Sequence, residues 1–542
     1  VNDFNINDFD DKLTWDLISE GRTKGVFQLE SQLGSSWAKK VKPRSITELS
    51  ALISLIRPGC LKAIMDGKSM TQTYVDRKSG KEPSKYHHPS LESTLSETYG
   101  VLVYQEQSMM IAKVLSGFDL KEADNLRKAI GKKKAKLMLE VKERFISGAG
   151  EQGVVSEEIA EEIFSWIEKS SRYAFNKSHG IAYAVNTYQS AYCKAHRPLK
   201  FFEVYLNHAK DSDDVKEFVM DAKNHGIEVY PPSLSRLFPD FTMDKDKNVI
   251  YFGISNAKNV SAVDVQIIEK LGKTKDIPSF TWLDCLFTFG GVKQGEKLGK
   301  RTIESLISIG AFNGKNNKTQ RNKMLYEYGV WNSLSASIKK HIANLYKHYS
   351  GAFDDLHTWI SLALEYKYVS SKDSTEYKYI AKECNGGRAI VQPKKVSELL
   401  DLVESLKNPP YSTDDHAWTI ANLENRIIGC SLTCSVVDGS IKSNLAKNMC
   451  KDVQNSTIIG KTSIAVSIAS VREYETKKGK NAGSIMAFLS VEDSSGSLDV
   501  TAFPEDYSKN KNLLTEGNTV LINGTVSSRD GNSLILNKVS QI

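Results

Sequence analysis

The chain has 542 residues, long enough for about three or four domains at roughly 150 residues each. Its 40% hydrophobic and 25% charged residues and mean hydropathy of -0.36 are those of an ordinary globular protein, which excludes disordered, collagen-like and disulfide-scaffold classes. The net charge of +7, from 72 basic and 65 acidic residues, is modest as an average, so its distribution carries the information.

No run of 18 residues is predominantly apolar and uncharged, so no membrane span is expected. The start, with Asp3, Asp8, Asp10 and Asp11, lacks the basic stretch and apolar run of a secretory signal. Seven scattered cysteines read as reduced thiols of a cytoplasmic protein. Cys430 and Cys434 have no second pair at ligand spacing and are read as thiols rather than a zinc site. The chain opens on Val1, as expected of part of a longer polypeptide.

Residues 1–60 read as mixed helix and loop, ended by Pro58 and Gly59, since proline disfavours helical geometry in the residue before it. Residues 101–104 form an apolar, strand-like run that leads into a helix. Apolar Ala123, Leu126, Ile130, Leu137, Val141 and Phe145 then recur at helical spacing. Gly131, followed by Lys132, Lys133 and Lys134, is expected to break this pattern into two helices with cations at the corner. Arg127 and Lys128 stand one turn earlier. Five cations so placed suit a triphosphate or a DNA backbone, although a lysine cluster can equally be a solvated face.

Between Lys113 and Arg144 ten Lys or Arg face five Asp or Glu, and between Lys169 and Lys200 six Lys or Arg stand with no acid. Charge concentrated in this way marks a polyanion-binding surface. The second window interleaves Tyr173, Phe175, Tyr183, Tyr188 and Tyr192, rings that suit base stacking. Tyr188 and Tyr192, one helical turn apart, fit a core stripe better. Residues 210–240 read as a turn-rich connector with Pro231, Pro232 and Pro239, followed by a strand near 249–253 and small helices to about 335. The segment GEKLGK at 295–300 has the wrong glycine spacing for a phosphate loop and Arg301 in place of Ser or Thr. Residues 335–455 read as helical and mixed.

The last ninety residues change period. Alternating runs at Ile464, Val466, Ile468; Ile485, Ala487, Leu489, Val491; Leu498, Val500, Ala502; Val520, Ile522; and Leu534, Leu536 give five short strands and predict a small OB-like barrel. Tyr474, Lys477, Lys478, Phe488, Phe503 and Arg529 could bind single strands there by stacking and charge, with core packing of Phe488 and Phe503 an even alternative.

Several blocks then carry a resemblance. GVFQLES (25–31), LIRPG (55–59), TYGVLVYQEQSMMIA (98–112), SGFDLKEADNLRKAIGKK (116–133) and YAFNKSHGIAYAVNTYQSAYCKAHRP (173–198) resemble, in order, blocks of the alpha subunit of bacterial replicative DNA polymerase III, the C-family polymerases. YFGISNAKNV (251–260) and IESLISIGAF (303–312) resemble its tandem helix-hairpin-helix region, and ENRIIGCSL (424–432) with the terminal barrel resembles the segment leading into its OB domain.

The resemblance implies a multidomain, mainly α chain: a helical fingers domain at 1–230, a helix-hairpin-helix region at 231–335, a helical and mixed connecting region at 336–455 and a five-stranded OB fold at 456–542. It implies a DNA-directed DNA polymerase, with dNTP and primer-template DNA as ligands and single-stranded DNA at the barrel. Arg127, Lys128, Lys132 and Lys133 match the basic fingers motif and would contact the triphosphate. Asn176, Lys177, Ser178, His179 and Tyr183 match the second nucleotide-facing motif, and Arg57 the arginine packed near the active site. Lys258, Tyr474, Lys477, Lys478 and Arg529 would contact DNA. The family's Mg-binding aspartates lie in a palm upstream of the GVFQLES block. No residue here is nominated as a metal ligand or catalytic group, and catalysis is expected to need a palm-bearing partner chain. The competing reading is a non-catalytic DNA-binding factor that retains these domains. One departure is Asn259, Val260, Ser261 where the hairpin should read Gly-Val-Gly, which removes glycines that let backbone N-H groups approach phosphate. The family's clamp-binding peptide is not recognisable, leaving the sliding clamp an open partner.

Overall fold

The computed structural model describes residues 4–541 apart from 66, 133–134, 294, 367, 370–379, 382–387, 390, 435–436, 438–445, 455–457, 477–482, 494 and 528–531, and describes only the backbone of 131, 132, 135, 368–369, 380–381, 388–389 and 418. It forms two compact units, Val1–Phe201 and Phe202–Ile542.

The first unit is helical. The helices that matter below are α1 (Ile46–Leu55), α2 (Gln105–Ser116), α3 (Leu120–Lys132), α4 (Ala135–Gln152) and α5 (Lys177–His196). One core gathers Trp15, Leu52, Leu55, Tyr74, Val101, Val103, Tyr188 and Tyr192; a second gathers Leu115, Phe118, Leu126, Phe145, Phe164 and Ile167. Tyr188 and Tyr192 are therefore core residues, as their spacing suggested. The apolar run at 101–104 is extended but is not part of a sheet. Among the described residues it makes one parallel bridge, Tyr104 to Phe175, and the Gln107 side chain accepts the N-H groups of Val103 and Tyr104, each at 2.9 Å. Gly131 lies in the last turn of α3, which ends at Lys132, and α4 begins at Ala135, so two separate helices flank this segment as expected.

In the second unit the expected connector contains a 13-residue helix, α6 (Ser212–Asn224), whose first turn is capped by Asp211 and which buries Val215, Phe218, Val219 and Ala222; the prolines lie beyond its end. A three-stranded sheet comprises Glu228–Tyr230, Thr242–Asp244 and Val249–Tyr251. After it come α7 (Ala262–Gly272), α8 (Lys300–Ser308), α9 (Arg321–Ser333) and α10 (Ala417–Ile428).

The C-terminal strands are β1 (Lys461–Glu475), β2 (Ile485–Asp493), β3 (Gly496–Ala502), β4 (Thr519–Val526) and β5 (Ser533–Gln541), with α11 (Pro504–Asn510) between β3 and β4. They close into a barrel in the order β2-β3-β5-β4-β1, with β3 and β5 parallel and the other neighbours antiparallel. The long β1 pairs with both β2 and β4, and a register shift at Ser490 and Val491 supplies the bend that closure requires. Its interior is the set read from alternation: Ile464, Val466, Ile468, Ala487, Leu489, Val491, Leu498, Val500, Ala502, Val520, Ile522, Leu534 and Leu536.

Candidate nucleotide and nucleic-acid surfaces

The bridge between Tyr104 and Phe175 brings the start of α2 to the start of α5. Phe175 donates its N-H to Val103 O at 2.8 Å, and Gln105 donates to Phe175 O at 2.8 Å. Asn176 caps α5 by accepting the His179 N-H at 2.8 Å. Its own amide donates to Glu106 at 2.9 Å, and the same carboxylate accepts the Lys177 N-H at 2.8 Å. Lys177 Nζ pairs with Glu97 at 2.6 Å. Arg57 comes in from the end of α1: its guanidinium lies 4.4 Å over the Phe175 ring and donates to Tyr173 O at 2.8 Å and Ser54 O at 2.7 Å. α5 can approach α1 this closely because residue 180 is glycine; a Cβ there would stand 2.7 Å from Ser50 Oγ.

Along the outer side of α5, Phe175 and His179 have ring centroids 5.3 Å apart, and His179 and Tyr183 4.1 Å. Tyr183 meets Phe27 at 5.2 Å, and Phe27 is anchored by its N-H on Ser190 Oγ at 3.0 Å. His179 and Ser178 are exposed, and Phe27 is 40% exposed. Phe27 was not singled out from the sequence; its place inside the GVFQLES block was the available signal.

On α3, Arg127 gives Nε and Nη2 to one oxygen of Asp124 at 2.9 and 2.7 Å, and Lys128 Nζ reaches the other at 2.6 Å. The hydrogen bonds from Lys128 and then Arg127 hold the Asp124 carboxyl below its usual range. Arg127 also lines a small cleft with Gln105, Ser108, Ile130 and Ser171. Arg127, Asn176 and Lys177 thus border the first turn of α2, with Arg57 joined to them through Phe175. Lys132 is described only as the last backbone residue of α3, and Lys133 lies outside the described residues.

In the second unit Asn259 adopts φ +66°, a left-handed conformation that asparagine tolerates better than most residues. Its carbonyl accepts from Thr302 at 2.9 Å and its amide donates to Ser305 at 3.1 Å, so α8 backs this turn. The next N-H groups are already engaged, Val260 with Ala257 O at 3.2 Å and Ser261 with Asp264 at 3.0 Å. Lys258 is exposed beside them.

On the barrel, Phe488 and Phe503 are 40% and 45% exposed and Tyr474 is 44% exposed. The two phenylalanines therefore lie outside the core. Arg472 stands directly opposite Phe488 in register, 5.6 Å from its ring; Tyr474 meets the same ring at 6.4 Å. Arg472 was missed from the sequence although it alternates with Tyr474 on one face. Lys477, Lys478 and Arg529 lie outside the described residues. Cys430 is buried, which pushes its thiol up to about 12, while Cys434 donates to Ala417 O. Among the described residues no cluster of three or more His, Cys, Asp or Glu could hold a metal ion, so they do not fit a two-metal site. Among them, too, no helix is long and apolar enough to cross a membrane.

Residues 2–153 match the family model of the bacterial DNA polymerase III alpha subunit finger domain, and residues 463–542 match an OB-fold nucleic acid binding domain. The DNA polymerase III subunit alpha of Aquifex aeolicus is 33% identical over 515 residues, which is 95% of this chain and 37% of that protein. The chain is a homologue of the C-terminal portion of DNA polymerase III alpha subunits. The alpha subunit of Borreliella burgdorferi is 31% identical over 547 residues, 99% of this chain and 42% of that protein; that of Thermus aquaticus is 40% identical over 314 residues, 56% of this chain and 24% of that protein. The chain therefore spans less than half the length of these alpha subunits. Arg57, Arg127 and Lys128 fall within the finger-domain match. Residues 176–183 lie beyond its end and join the same surface through the bridge from Tyr104 to Phe175.

Proposed function

We propose that these 542 residues are the nucleotide- and DNA-handling portion of a C-family replicative DNA polymerase. The observation that supports this most is the placing of Arg127, Asn176 and Lys177 about the first turn of α2, with Arg57 over the adjoining Phe175 ring. Cations there would receive the triphosphate of an incoming dNTP, with Arg127 and Lys128 from α3 and Asn176, Lys177 and Ser178 from the start of α5, and Lys132 and Lys133 would add charge. The rings of His179 and Tyr183, extended by Phe27, would lie against bases. We assign fingers to 1–230, a helix-hairpin-helix region with Lys258 to 231–335, a connecting region to 336–455 and the OB domain to 456–542. The barrel would hold single-stranded template on Arg472, Tyr474, Phe488 and Phe503, with Lys477, Lys478 and Arg529 adding charge.

Nucleotidyl transfer needs carboxylates that hold Mg, and the resemblance assigns these to the palm. This portion would act on primer-template DNA together with a palm, carried by the rest of the polypeptide or by a separate chain. Primer extension tests the reading: the 542 residues with Mg and dNTPs, with and without a palm-bearing polypeptide. Incorporation only in the mixture supports it. Incorporation by the 542 residues alone would overturn the dependence on a palm, and none in either case would favour a non-catalytic DNA-binding factor.

A further inference from the structure

Of the cations that the nucleotide reading assigns to the triphosphate, Arg127, Lys128 and Lys177 already hold a carboxylate. Asp124 gives one oxygen to Arg127 and the other to Lys128. Glu97 takes Lys177 Nζ. Glu106 takes the Lys177 N-H at the start of α5, the end of a helix that favours an anion. Three cations thus face three carboxylates, Arg57 being held instead by backbone carbonyls, and much of the positive charge of the described surface is engaged until a carboxylate gives way.

These pairs can yield. The side chains of Arg127 and Lys128 are 41% and 47% exposed and that of Asp124 33%, so ligand and water reach both members, and exposed pairs of this kind are weak. A phosphate brings more charge and more acceptor oxygens to a guanidinium or ammonium than a carboxylate does. Asp124 is the key member because it alone engages two of the cations. Its position three and four residues before them on one helix keeps its carboxylate within reach of both.

We propose that Asp124, seconded by Glu97, sets the affinity of this site for polyphosphate by occupying Arg127 and Lys128 until the ligand displaces it. The proposal rests on the nucleotide reading and deepens it. An aspartate that merely positioned the two cations would have the opposite effect on removal, so the sign of the change separates the two roles.

The test is calorimetric titration of the 542-residue chain with inorganic tripolyphosphate at low salt. Asp124→Asn should bind about two- to fivefold more tightly than the parent, the range that release of an exposed ion pair gives. Glu97→Gln should shift affinity in the same direction, and serves as the second variant should Asp124→Asn fold poorly. Glu140→Gln, which removes an exposed carboxylate from α4, should leave affinity unchanged. Weaker or unchanged binding in both Asp124→Asn and Glu97→Gln overturns the proposal, as does an equal gain in Glu140→Gln, or no binding by any variant. Arg127→Ala combined with Lys128→Ala tests the underlying reading separately: binding that survives in this variant removes those residues from the site, whatever Asp124 does.

Discussion

On β2, Phe488 and Leu489 are chain neighbours on opposite faces of the barrel wall, and their substitutions should separate binding from folding. Phe488 is 40% exposed between Arg472 and Tyr474, whereas Leu489 is 1% exposed inside. A base stacked on an aromatic side chain is worth roughly 1–3 kcal/mol, so Phe488→Ala should weaken binding of a short oligo-dT by about five- to 150-fold. Its cost to folding should stay below about 1 kcal/mol, the scale of a cross-strand pair. Leu489→Ala should do the reverse, losing about 2–5 kcal/mol of barrel stability through the cavity it opens. Fluorescence anisotropy of a labelled oligonucleotide, read beside denaturant unfolding, measures both. Arg472→Ala should also lower the slope of log affinity against log salt by roughly 0.7, the value for one phosphate contact on a single strand. Oligonucleotide affinity within twofold of the parent in a folded Phe488→Ala chain would refute the assignment of this face.

Two further outcomes concern the frame that holds these surfaces. Arg321 and Glu424 are 3% and 0% exposed and meet at 2.7 Å, and Glu424 also accepts the N-H groups of Leu432 and Thr433 at 2.6 and 2.9 Å. Glu424→Ala strands a buried charge and two amides, and should cost the second unit about 3–5 kcal/mol in denaturant unfolding; Arg321→Met with Glu424→Leu should cost less than that single change. In the first unit Asp11 bonds His196 at 2.9 Å, close to where Tyr188 and Tyr192 hold Asp8 O and the Asn5 N-H. Burial pushes the Asp11 carboxyl up, but hydrogen bonds from Thr14 and His196 outweigh it and hold the pKa below the usual aspartate value. A depressed carboxyl stabilises fully above its unfolded pKa of about 4 and loses that contribution as pH falls through the folded value. Unfolding of the parent between pH 2 and 6 should therefore show an acid limb that Asp11→Asn flattens.

The barrel was legible because period-two alternation survives in every strand, and the residues it pointed inward are those that fill the interior. The same pattern already turned Phe488 outward, between inward Ala487 and Leu489, and Phe503 outward after Ala502; hydrophobicity alone left both ambiguous. The site in the first unit was legible in its cations, and the spacing of Asp124 to Arg127 and Lys128 is visible along one helix. What was not legible depends on partners far away in the chain. Glu106 reaches Asn176 across 70 positions, and Phe27 reaches Ser190 across 163, pairings that no local pattern encodes.

The central claim is that the surface about the first turn of α2 receives the triphosphate of the incoming nucleotide. It is tested most directly by the dNTP concentration for half-maximal primer extension in the palm-containing enzyme, comparing the parent with Arg127→Ala plus Lys128→Ala. Hydrogen bonds to charged groups are worth about 1.5–3 kcal/mol each, so the requirement should rise roughly tenfold or more. An unchanged requirement in a folded, active double variant would contradict the account.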